Sequence, residues 1–154
     1  MHSINKKYDQ LKKKYKLPDF KSLDSEFEIS SIEKSNYLLR AIISEIIENI
    51  NNYSKLLQEI LNPDTSSLTS MHEYRSLNDE EKDKIYNLYK KLMIIERSSM
   101  LLKLNQNEKK EAEFISNVLK EWSNIKKELS YFIGKIEDSW KKETSIKEDL
   151  KYFG

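Results

Sequence analysis

The sequence predicts an all-α protein, an up-and-down bundle of three long helices at about 31–61, 79–104 and 108–142 with a shorter basic helix at about 4–16. Three observations predict it. Ile115, Val118, Trp122, Ile125, Leu129, Phe132 and Ile136 recur at alternating spacings of three and four, which puts seven apolar side chains on one face of a helix. Only two Gly and two Pro occur in 154 residues, of which 34% are charged and 38% hydrophobic. Lys, Glu and Leu give up little rotamer freedom in a helix, so this composition favours long helices over turn-rich sheets. Finally, the residue pairs Ser30 with Glu33 and Asn78 with Glu81 each precede an apolar periodic run. At that spacing each side chain can satisfy a backbone donor at a helix start.

The elements follow in order. Ile4 to Lys16 sets Tyr8, Leu11 and Tyr15 on one face and six lysines elsewhere, a short amphipathic helix. It stops at Leu17 because Pro18 disfavours helical geometry in the residue before it. Asp19 to Ile29 is acidic and carries Phe20, Leu23, Phe27 and Ile29; it reads as an ordered connector with a short helical turn from Asp19. The pair Ser30 and Glu33 then predicts the first long helix. Its apolar set from Leu38 to Leu61 covers two adjacent seams rather than one, as expected of a central helix with neighbours on both sides. Asn62 and Pro63 end it.

Residues 62–77 form the longest irregular stretch, with a turn of helix around Leu68 to Tyr74. Asn78 and Glu81 start the next long helix, and Asp79 and Glu80 favour its positive end. Its inward set is Ile85, Leu88, Tyr89, Leu92, Ile95 and Leu102, with Ser99 where a large residue is expected. Asn105, Gln106 and Asn107 make a short connection, so the flanking helices should run antiparallel. The last helix carries the seam on one face and Glu113, Lys120, Lys127 and Lys141 on the other. All of 1–154 is expected to form one domain, with a frayed tail over 143–154.

Composition also restricts function. With 27 basic and 26 acidic residues the formal net charge is +1, so the whole molecule exerts no polyelectrolyte attraction on nucleic acid or anionic lipid, and any such binding must be local. Cysteine is absent, which excludes disulfides, thiolate nucleophiles and Cys-ligated metals. Met1 to Lys16 has the wrong pattern for a secretory signal, and Tyr37 to Ile50 is broken by Arg40, Glu45 and Glu48. The expectation is a cytoplasmic chain with no membrane partner.

Motifs that carry chemistry are lacking. The two glycines, Gly134 and Gly154, belong to no phosphate loop or nucleophile elbow. A ferritin-like metal centre needs Glu three before His on two helices, whereas His72 follows Thr69 and the only other histidine is His2. No metal, cofactor or catalytic activity is therefore expected. Three surfaces remain as candidates. Lys6, Lys7, Lys12, Lys13, Lys14 and Lys16 could meet an acidic partner or nucleic acid, or else keep the first helix soluble. His72, Glu73 and Arg75 are the polar candidates of the longest loop. Trp140, with Tyr152 and Phe153, would form a partner surface if the last helix outruns its bundle. The leading expectation is protein–protein interaction, as a homodimer or complex subunit. The alternatives are accessory nucleic-acid binding by the lysine-rich helix and small-molecule binding between helices.

Overall fold

A computed structural model of the chain describes residues 2–33 and 36–142. The fold is an all-α helical bundle of six helices: α1 (His2–Tyr15), α2 (Phe20–Phe27), α3 (Leu38–Leu61), α4 (Leu68–Arg75), α5 (Asp79–Leu104) and α6 (Glu108–Lys141). Among the described residues no helix is long and apolar enough to cross a membrane.

Two of the expected starts contrast. At α5 the anticipated reciprocal cap forms, with the Glu81 amide donating to Asn78 Oδ1 at 2.8 Å and the Asn78 amide to Glu81 Oε1 at 3.0 Å. At Ser30 it does not, and the long helix begins at Leu38 rather than near Ser31. Asp24, at the end of α2, takes the Ser30 amide at 2.7 Å, and Ser31 Oγ turns back to the Glu28 carbonyl at 2.7 Å. Glu28 is left-handed (φ 55°, ψ 45°) and Ile29–Ser31 makes a single 3-10 turn. That geometry sends the Ile29 side chain into the core, where it is fully buried. The acidic connector is likewise a complete helix, α2, because Leu23 and Phe27 one turn apart both reach the interior.

The contacts fall into two compact units. The first takes Met1–Asn51 with Ile94–Ser123, and the second takes Asn52–Met93 with Asn124–Gly154. Each boundary lies inside a long helix, so each unit draws on α3, α5 and α6. In the first unit Arg40 near the start of α3 bonds the last carbonyls of α5 and Glu111 near the start of α6. There α5 runs antiparallel to both neighbours. Its core joins Tyr8, Leu23, Phe27 and Ile29 to Ile42, Ile46 and Ile50 of α3 and Ile115, Val118 and Trp122 of α6. Tyr8 meets Phe20 edge-on at a centroid distance of 5.4 Å and donates to the Pro18 carbonyl at 2.5 Å. Burial pushes its hydroxyl pKa well up, so the ring stays neutral and donating.

In the second unit Lys91 with Glu128 at 3.5 Å, and Glu81 with Lys135, tie α5 to an antiparallel α6. Leu57, Ile60, Ile85, Leu88 and Leu92 pack there with Ile125, Leu129, Phe132 and Ile136. Every residue of the α6 seam is thus buried, at 0–6% exposure from Ile115 to Ile136.

Candidate functional site

Four places combine polar chemistry or exposed apolar surface. The first is the Arg40 network. Arg40 is on the third residue of α3, and its guanidinium reaches Glu111 Oε2 at 3.2 Å, the Lys103 carbonyl at 2.9 Å and the Leu102 carbonyl at 3.5 Å. One cation therefore satisfies carbonyls that the end of α5 leaves without intrahelical donors and neutralises a carboxylate with only 5% of its side chain exposed. Burial pushes the Glu111 carboxyl above its usual range, and Arg40 opposes this in part. A cleft of about 290 Å³ lies beside the pair, lined by Ile43, Ser44, Ser99 and Leu102 as well as by Arg40, Lys103 and Glu111.

The second is a convergence of lysines. Tyr15 Oη donates to Glu108 Oε1 at 2.7 Å and Lys14 Nζ lies 3.8 Å from the same atom, so the end of α1 sits at the start of α6. Of the six lysines singled out in the sequence, Lys12 pairs with Asp19 and Lys14 with Glu108. Lys13 and Lys16 are exposed at this end, whereas Lys6 and Lys7 lie two turns back along the helix. Sequence reasoning missed that the end of α1 meets Glu108, the residue just before Lys109 and Lys110, since only the fold brings position 15 to position 108.

The third lies in the second unit. His72 is 2% exposed, its ring tilted against Trp140 at a centroid distance of 4.0 Å, and Trp140 Nε1 donates to Glu73 Oε2 at 2.9 Å. Two candidates that the sequence treated separately, the loop and the tryptophan, are thus one cluster. The loop is the helix α4, capped by Ser67 Oγ, which accepts from the Ser70 amide at 3.2 Å. Trp140 is half-buried and committed to α4; Arg75 is exposed. Tyr152 and Phe153 lie outside the described residues.

His72 Nε2 is 3.2 Å from Ser139 Oγ, a pairing that elsewhere activates a serine nucleophile. Here the second partner of Ser139 favours the opposite polarity. Ser139 Oγ also lies 2.6 Å from the Ile136 carbonyl; with its one proton directed there, its oxygen accepts from the Nε2–H tautomer of His72. Among the described residues no group of three His, Asp or Glu side chains could hold a metal ion.

The fourth is the outer face of α5. Ile94, Met100, Leu101 and Leu104 are 61%, 54%, 64% and 78% exposed. At about 100° per residue they fall within an arc of roughly 120°, opposite the buried stripe of Ile85, Leu88, Leu92 and Ile95. Leu101 also borders a shallow groove of about 440 Å³ that it shares with Leu102, Phe114, Asn105 and Lys110. The signal was present in the sequence as a second apolar spacing of seven and three from Ile94. No family model, curated protein or solved structure matches this chain.

Proposed function

We propose that the protein acts by protein–protein contact, as a subunit of an assembly with itself or with another chain, and that the outer face of α5 from Ile94 to Leu104 is the contact. The observation that carries this reading is the exposure of four large apolar side chains on one helical face. Single exposed apolar residues are ordinary, but contiguous ones mark interaction surfaces. The end of the helix also presents Phe114 beside Leu101 across the α5–α6 groove, the kind of channel into which an apolar anchor can dock.

The test separates binding from folding. Leu101→Glu with Leu104→Glu should leave the urea unfolding free energy within about 0.5 kcal/mol, because neither side chain supports the core. The same pair should shift the protein from a larger species to the monomer in size-exclusion profiles of a native-cell extract. A wild type that is monomeric in the extract and at high purified concentration contradicts the proposal.

A further inference from the structure

A different surface of the first unit carries an independent inference. Four helix ends meet there: the end of α1 at Glu108, the end of α5 at Arg40, the start of α3, which holds Arg40, and the start of α6, which holds both Glu108 and Glu111. The carboxylates at this junction are already engaged, Asp19 by Lys12, Glu108 by Tyr15 and Lys14, and Glu111 by Arg40. Lys13, Lys16, Lys103, Lys109 and Lys110 are exposed, and among the described residues none of them has a carboxylate within ion-pair distance. Beyond Glu108 and Glu111, the next acidic residues along α1 and α6 are Asp9 and Glu113; neither is within ion-pair distance of these lysines, although Glu113 borders the same groove as Lys110. In a chain of net charge +1 the first unit therefore concentrates cations at this junction.

An aromatic ring stands at the same end. Tyr37, whose carbonyl accepts from the Ala41 amide at the start of α3, is 59% exposed and one turn before Arg40. We infer that this end binds single-stranded nucleic acid, with Lys13, Lys16, Lys103, Lys109 and Lys110 on the phosphates and Tyr37 stacked on a base. Exposed cations from several segments of one junction, with an exposed tyrosine one turn before Arg40, are the residue types that sequence-tolerant single-strand binding combines. A base in a duplex would not offer its face to the ring. An anionic membrane is the poorer fit, because an interfacial helix inserts its apolar face and that of α1 is already spent, with Ile4 and Tyr8 at 5% and 0% exposure.

The experiment measures fluorescence anisotropy of a labelled oligothymidylate against the full chain at about 50 and 200 mM salt. If all five lysines meet phosphates, the slope of about −0.7 per contact gives a loss of affinity of roughly 100-fold across that range. Lys109→Glu with Lys110→Glu should weaken binding at least tenfold at low salt and flatten the slope by about 1.4. Tyr37→Ala should weaken binding about tenfold for the single strand and leave a duplex of the same length unaffected. Helical circular dichroism and urea stability of these surface variants should match the wild type.

Absence of binding at the lower salt overturns the inference. So does a preference for phosphatidylserine vesicles over the oligonucleotide, which would assign the lysines to lipid. Equal affinity for duplex and single strand, untouched by Tyr37→Ala, would overturn the stacking role and with it the single-strand assignment. Lys110 borders the same groove as Leu101, so the two readings are told apart by Tyr37→Ala, which should weaken oligonucleotide binding and leave the size-exclusion profile unchanged; absence of oligonucleotide binding leaves the protein contact of α5 standing.

Discussion

Arg40→Met isolates the buried ion pair of the first unit from its packing. Methionine keeps much of the apolar stem while deleting the guanidinium, and Glu111 is left as a carboxylate with 5% of its side chain exposed. Removing one partner from a fully buried pair costs about 3–5 kcal/mol. Two features reduce that figure. Arg40 itself is 35% exposed, so water can enter where the guanidinium was, and Glu111 can escape the penalty by binding a proton. The freed carbonyls of Leu102 and Lys103 lie at an exposed helix end and contribute little. We expect a loss of about 2–3 kcal/mol at pH 8 and about 1 kcal/mol at pH 4.

The pH dependence has a definite sign. Burial raises the Glu111 carboxyl above its ordinary value of 4.5, and Arg40 opposes that rise. The folded state thus holds this proton more tightly than the unfolded chain. Its contribution is fully present below the unfolded value and is lost as pH rises through the folded one. Deleting Arg40 raises the folded value further, so the gap between variant and wild type must widen with pH. Urea unfolding at the two pH values reads this directly. Glu111→Gln added to Arg40→Met should recover more than half of the loss at pH 8. An equal loss at both pH values, or a loss below about 0.5 kcal/mol at pH 8, would refute the reasoning.

Two further predictions concern the second unit. Lys135 first and the Asn78 amide second hold the Glu81 carboxyl below its ordinary value, so its stabilisation is present above the unfolded value of 4.5 and is lost as pH falls through the folded one. Because glutamine can still close the capping box, Glu81→Gln should cost only about 1 kcal/mol at pH 7 and progressively less as pH falls below 4.5, measured by urea unfolding; a cost that does not change with pH would assign the effect to packing. Nitrogen NMR of neutral His72 should place its proton on Nε2, and Ser139→Ala should cost about 1–2 kcal/mol by stranding that donor. A proton found on Nδ1 would overturn the polarity deduced for this pair.

Much of the fold was readable because its signals are local. The α6 seam depends on residues three and four apart, and Asn78 with Glu81 completes a cap within one turn, so neither needs tertiary information. Ser30 and Glu33 had the same local form and failed, since Asp24 competes for the Ser30 amide and the pull of Ile29 into the core favours a 3-10 turn. The sites were harder to read for the same reason carried further. Arg40 meets Glu111 across 71 residues, Trp140 meets Glu73 across 67, and Tyr15 meets Glu108 across 93. No spacing rule connects such positions. The exposed stripe of α5 was visible as periodicity, but a helix with apolar residues on two faces does not reveal from sequence which face will be covered.

The central claim is that the outer face of α5 meets another protein, and in-cell photocrosslinking tests it most directly. A photoreactive phenylalanine replacing Leu101, compared with one replacing the exposed Lys127, should give discrete protein adducts of higher mass from position 101 alone. Adducts of equal intensity from both positions, or none from position 101 at native expression, would contradict it.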